Sequence, residues 1–213
     1  MHFHIITLFP QAFTSYLGES IIKRARLGRK IDVTFYNPRD FTEDKWDRVD
    51  RRPYGGGPGM VLEAESVARA VEKAIGRKDR SRVRVLFFDP GGEQFTTEVA
   101  DGVARTCRHV VLICGRYEGI DARVKEMVGA EPVSIGPYTL TGGELPAMIV
   151  LDCITRRLPG VLGNSESLEE RRIASHDVYT RPEVIVWKRK RYVVPRVLLS
   201  GNHRDIDAWK SAR

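Results

Sequence analysis

The sequence predicts an α/β domain with a mainly parallel sheet, followed by a small helical C-terminal domain. Three observations predict it. Short runs rich in β-branched and aromatic residues alternate with segments of helical periodicity, the order expected when helices cross between parallel strands. Glycine-studded turns follow several of these runs, most clearly CGRYEGID (residues 114–121) and SIGPYTLTGGE (residues 134–144). A polar, charge-dense stretch, NSESLEERRIASH (residues 164–176), then separates this region from a basic tail.

The elements follow in order. Residues 3–9 (FHIITLF) read as a buried first strand ended by Pro10, and Ser20 is expected to cap a helix over 21–27 that Gly28 stops. Ile31, Val33 and Phe35 alternate in a second strand that breaks at Asn37-Pro38. The polar stretch after it ends in PYGGGPGM (residues 53–60), and a loop of that length inside a domain is usually functional. Val67, Ala70, Val71 and Ala74 mark a helix over 63–75. A strand over 83–88 runs into Asp89-Pro90-Gly91-Gly92, and 96–106 reads as a helix. Strands over 109–113 and 131–135 precede the two glycine turns. An apolar helix over 145–158 carries Arg156 and Arg157 in its last turn, where cations suit the helix dipole. The expected organisation is a domain over 1–160, a linker over 161–177 and a basic tail over 178–213.

Composition narrows the class. Of 213 residues, 42% are hydrophobic and 30% charged, the balance of a soluble globular protein. No apolar run reaches membrane-spanning length and no signal-peptide pattern opens the chain, so a cytoplasmic protein without a membrane partner is expected. Cys107, Cys114 and Cys153 are odd in number and unevenly spaced, which suits reduced core thiols. A net charge of +7 is concentrated at residues 23–30, 51–52, 171–172 and 188–191. The last cluster lies between Trp187 and Tyr192, and basic side chains interleaved with aromatics suit RNA.

Familiar cofactor patterns are absent. No G-x-G-x-x-G follows the first strand, there is no Walker loop, and Glu118, Asp121 and Glu144 lack histidines at helical spacing, so no metal site is expected. The glycine turns instead suggest a small-molecule pocket lined largely by main chain, because a glycine brings no Cβ between backbone and ligand.

Six motifs carry a more specific signal: PYGGGPGM, GRYEGID, SIGPYTLTGGE, PGVLGN, YTRPEV and VLLSGNH, in that order. Together, over about residues 3–209, they resemble the bacterial tRNA (guanine-N1)-methyltransferase family, a trefoil-knotted class of the SPOUT type. The resemblance implies a deep knot, S-adenosylmethionine as methyl donor, and methylation of N1 of guanosine 37 in tRNA by a homodimer. In that dimer the cofactor sits in one knot, while the linker and tail come from the other subunit. The cofactor residues implied are Phe88, Pro90 and Gly92 from the first knot loop, and Gly115 and Glu118 from the second. The third loop supplies Ile135, Gly136, Tyr138, Leu140, Gly142 and Gly143.

For the substrate the resemblance implies Tyr54, Gly55 and Gly57, which let the target base approach the backbone, with Arg116, Tyr117, Arg181, Ser200 and His203. Asp121 is expected to anchor its loop. Removing the N1 proton of guanine drives charge onto O6, so the chemistry needs a base and a cation. Arg156 is implied as the cation. The base departs from the family pattern, an acidic residue-Ser-Phe triplet in the linker. Counting forward from Gly163-Asn164 reaches Glu170, with Glu169 beside it; counting back from Tyr179 reaches Ser167, and Asp177 is the segment's one aspartate. Glu170 is the expected base, with Glu169 and Asp177 as alternatives. Pro137 occupies a place often held by aspartate, and the chain ends soon after Trp209, where a short tail helix is expected. Two other functions stay open: ribose 2′-O-methylation by the same knot, and RNA binding without catalysis through a disabled linker.

Overall fold

Parallel strands in the order β2-β1-β6-β5-β7 form the central sheet. The computed structural model describes residues 1–162 and 177–211. They belong to two compact units, one of residues 1–162 and one that begins at residue 163.

In the first unit, β1 (His2–Ile6) leads through a short α1 (Thr14–Leu17) and α2 (Ser20–Leu27) to β2 (Asp32–Tyr36). Ser20 does not cap α2. It is the first helical residue, at φ 49°, while Glu19 takes the cap position, and no side-chain cap bond forms. The long polar segment is pinned by a two-residue pair, β3 (Asp50–Arg51) with β4 (Val61–Leu62). Next come α3 (Ala64–Ile75), β5 (Val83–Gln94), α4 (Thr97–Thr106) and β6 (His109–Ile113). Thr96 caps α4, its hydroxyl accepting from the Val99 N–H.

The strand expected to stop at Phe88 continues. β5 pairs with β7 (Glu131–Ser134) up to Phe88, slips register, and pairs again from Glu93. Residues 89–92 therefore stand off the ladder as a bulge, the device by which a strand re-aims its side chains beside a site. A helix unmarked by strong periodicity, α5 (Arg123–Val128), precedes β7 and ends at Gly129 in the left-handed conformation. The last helix of this unit, α6 (Glu144–Thr155), is shorter than its apolar run, so Arg156 is its C-cap and Arg157 lies beyond the end.

Alternation along the strands divides the core in two, as the two-residue period of a sheet requires. Ile6, Val111, Ile113, Val85 and Phe87 pack on α3 and α5. Phe3, Ile5, Val110, Leu112 and Leu86 pack on the other face, with Ala100 and Val103 of α4 and Val150, Leu151 and Ile154 of α6.

In the second unit, the basic segment expected to be helical begins as a hairpin, β8 (Val184–Trp187) with β9 (Lys190–Val193). The β-branched run Val184-Ile185-Val186, with Val184 facing Val193 and Ile185 facing Tyr192 across the pair, suits strands better than a helix. Two helices follow, α7 (Arg196–Leu199) and α8 (His203–Ser211). Tyr179 and Trp209 meet with ring centroids 6.2 Å apart. Among the described residues no helix is long and apolar enough to cross a membrane.

Leu112 is fully buried on the central strand β6, whereas Leu27 at the end of α2 is 76% exposed. Leu112→Ala is expected to lower the unfolding free energy by about 2–5 kcal/mol in urea titration. Leu27→Ala should change it by no more than about 0.5 kcal/mol.

Candidate functional site

The carboxyl ends of β5, β6 and β7 open into one cavity of about 200 Å³. In open parallel sheets this is where ligand crevices form, because the loops leaving adjacent strands diverge there. Phe88 reaches it from β5 and Asp89 and Pro90 from the bulge, residues 115–119 from the loop after β6, and residues 133–136 and 138–143 from β7 and its loop. Pro146 closes it from the first turn of α6.

Most sequence-predicted cofactor residues meet here. Phe88, Pro90, Gly115, Glu118, Ile135, Gly136, Tyr138, Leu140, Gly142 and Gly143 all line the cavity, together with Arg116 and Tyr117. Gly92 does not. It returns the bulge to the ladder, where a Cβ would lie 2.5 Å from Pro132 C and Val133 N, so its small size serves strand crossing. Asp89, Thr139, Thr141 and Pro146 were not read from the sequence. Asp89 had a signal in its place beside Pro90; the threonines had none, since threonine is common in any loop.

Two loops of the site are held together by one buried carboxylate. Glu144, 3% exposed, opens α6. Its Oε2 lies 3.0 Å from Arg116 Nη2, and its Oε1 accepts from the Thr7 hydroxyl at 2.8 Å. Thr7 Oγ1 in turn accepts from the Phe9 N–H at 2.9 Å, and the Arg116 guanidinium stands 4.5 Å over the Phe9 ring. Main chain reinforces the tie: the Gly143 N–H donates to Gly115 O at 2.9 Å, and Arg116 bridges Gly142. A Cβ on Gly143 would fall 2.5 Å from Cys114 Cα, so only glycine permits this approach. Burial, and then the Glu144 charge, push the Cys114 thiol well above its ordinary pKa, which leaves it a neutral packing group.

The PYGGGPGM segment joins the rim through one end. The Glu118 N–H donates to Met60 O at 3.0 Å, and a Cβ on Gly59 would sit 2.6 Å from Glu118 Oε1. Tyr54, Gly55 and Gly57 do not line the cavity; Tyr54 is fully exposed. Asp121 holds the end of the middle loop. Its N–H donates to Leu62 O at 2.9 Å, and its carboxyl, kept below the usual range by the Arg123 guanidinium, accepts from Arg123 Nη2 at 2.6 Å.

Arg156, expected to take part in the chemistry, does not line this cavity. Arg156 caps the far end of α6, and twelve helical residues span roughly 18 Å. Glu169 and Glu170 lie outside the described residues. Asp177 is exposed at the start of the described part of the second unit. In that unit Arg181 is exposed ahead of β8, Ser200 ends α7 with its hydroxyl on Val197 O at 2.8 Å, and His203 opens α8.

Glu144→Ala removes the shared partner of Thr7 and Arg116. It is expected to cost about 1–3 kcal/mol in denaturant unfolding. Amide exchange should quicken at residues 115–119 and 136–143 more than at β6.

A family model described as tRNA (Guanine-1)-methyltransferase TrmD matches residues 1–213. Curated proteins named tRNA (guanine-N(1)-)-methyltransferase are similar over 99% of the chain. The one from Moorella thermoacetica is 44% identical with 84% of its own length covered, and that from Thermomicrobium roseum is 43% identical with 77% covered. That of Clostridioides difficile is 41% identical, with 90% of its length covered. With its whole length matched, its six motifs in order and its glycine loops gathered on one cavity, the chain belongs to the tRNA (guanine-N1)-methyltransferase family.

Proposed function

We propose that the protein methylates N1 of guanosine 37 in tRNA, beside the anticodon, with S-adenosylmethionine as donor. The observation that carries this reading is the meeting of ten expected cofactor residues from three separate loops on a single cavity, in a chain of this family.

The lining suits the donor. Tyr138 and Leu140 are 52% and 37% exposed at the cavity although both are large and apolar, which fits a slot that a flat base fills. Glycines 115, 142 and 143 line the slot without side chains of their own, and Asp89 and Glu118 offer carboxylates to a ribose or an ammonium. When bound, S-adenosylmethionine supplies a methyl group on a sulfonium, already a good leaving group. The rest falls to protein side chains. A linker carboxylate, Glu170 in first place and Glu169 or Asp177 otherwise, takes the N1 proton. Arg156 steadies the charge that gathers on O6.

The three cavity loops are read as a deep trefoil knot. Supporting this, β5 runs between β6 and β7, Gly92 crosses against the backbone of Pro132 and Val133, and Gly143 reaches back to Gly115.

A homodimer completes the reading. Arg156 lies one helix length from the cavity of its own chain, so the arginine is best supplied by a second copy. Leu145, Ile149 and Arg156 share one stripe of α6 at i, i+4 and i+11, and Leu145 and Ile149 are 56% and 42% exposed. Phe9 and Tyr16 are large exposed apolar residues of the same unit, and the Tyr16 hydroxyl bonds the α6 residue Asp152. Such a stripe suits a covered interface.

The hairpin supports tRNA as partner, in the cytoplasm where tRNA is found. Lys188, Arg189, Lys190 and Arg191 surround its tip, and Trp187 and Tyr192 beside them are 64% and 48% exposed. Lys190 Nζ lies 5.3 Å from the Tyr192 ring centroid.

Mass spectrometry of nucleosides from tRNA treated with the protein and donor should show 1-methylguanosine. Appearance of 2′-O-methylguanosine instead, or no methylation at all, refutes the assignment. Arg156→Ala should keep donor affinity in calorimetry while single-turnover methyl transfer falls by about a hundredfold or more; near-normal transfer removes its role. Ile149→Glu should convert a dimer in sedimentation to a monomer that no longer methylates.

A further inference from the structure

A second constellation lies at the opposite end of the sheet from the cavity. His2 and His4 project from β1 on one face, and His109 begins β6 in register with His2. One ring nitrogen of each lies within 4.8 Å of the others, and among the described residues no other group of three His, Cys, Asp or Glu side chains is so placed. His4 is 1% exposed, and the other two are partly buried.

The rings are oriented from outside. His4 Nδ1 is 3.2 Å from the Tyr36 hydroxyl, which leaves Nε2 facing His109 Nδ1, also at 3.2 Å. His2 Nε2 is 2.8 Å from Thr34 Oγ1 and 3.7 Å from Asp32 Oδ2, so its other nitrogen remains for the cluster. Histidines that bind metals are held in this way, one nitrogen fixed by a hydroxyl or carboxylate and the other turned inward. Two nitrogens bound to one tetrahedral zinc at about 2.0–2.1 Å stand roughly 3.3 Å apart, close to the His4–His109 separation.

We propose that His2, His4 and His109 form a binding site for a divalent transition-metal ion of the zinc type, with a fourth position left to water. His2 now stacks on His4, with centroids 4.1 Å apart and 21° between the planes. Its in-plane lone pair reaches the ion when this partly exposed ring turns off the face of His4. Nitrogen donors without thiolate favour zinc, nickel or copper over magnesium or calcium. The positive charges of Lys78, Arg108 and the N-terminus near His109 oppose a dication, while Asp32 beside His2 offsets them in part. The site is independent of methyl transfer.

The test uses the untagged full chain, stripped with a chelator, then titrated with Co²⁺ as a spectroscopic probe and with Zn²⁺ against a chromophoric competitor. The expected result is one ion per chain, with tetrahedral cobalt absorption lacking thiolate charge transfer and a zinc-dependent rise in melting temperature. Because His4 is core and its loss could unfold the sheet, the variants are His2→Gln and His109→Gln, checked for native circular dichroism. Each should weaken zinc binding by about tenfold or more. Unchanged affinity in both variants, thiolate bands in the cobalt spectrum, or no binding by the parent chain overturns the proposal.

Discussion

The site depends on what a single buried carboxylate accomplishes. Glu144 stands where β1 ends, where the loop after β6 turns, and where α6 begins, and it bonds a residue from the first two. Its place in the first turn of α6 sets the carboxylate at the positive end of the helix dipole. Arg116, 26% exposed in its side chain, supplies the counter-charge from the water-facing side. A buried ion pair of this kind adds little net stability compared with apolar packing, but it admits few alternative geometries. Its effect falls on loop placement, since the partners come from elements far apart in the sequence.

Around that tie the sheet gives stiffness and the glycines give closeness. β6 is central and fully paired on both sides, through β1 and β5. The loop leaving it therefore starts from a fixed strand end. Gly143 then lets the α6 loop come within van der Waals reach of Cys114, which any other residue would prevent. A site so built is lined largely by backbone held on rigid elements.

Much of this was legible in the sequence. Strand alternation is visible because inward and outward positions differ in chemistry, and the two glycine turns stood out because a missing Cβ has no substitute. Less visible was the return of β5 after its bulge, since Asp89-Pro90-Gly91-Gly92 has the composition of an ordinary turn and only pairing with β7 shows otherwise. The helix α5 was hidden for want of length, its one plain mark being Gly129. The hairpin of the second unit departs from the helical expectation because its arms, Val184–Trp187 and Tyr192-Val193, are strand formers, and only the four cations between them favour a helix. Within the site, Glu144 was noticed as a carboxylate, but its partners Thr7 and Arg116 are fixed only by folding, and nothing in local pattern links it to a threonine 137 positions away or an arginine on another loop. The histidines of β1 and β6 were overlooked for the same reason.

The hairpin tip has one further consequence. Lys188 and Arg189 both hold left-handed backbone, at φ 47° and 64°, in the two-residue turn where Asn-Gly is the comfortable choice. Each such residue stores on the order of 1 kcal/mol of conformational strain. Cations thus stand where folding alone favours small residues. Changes that relax this turn and changes that preserve its charge pull in opposite directions, and homologues under selection for heat resistance would have to settle that conflict at these two positions.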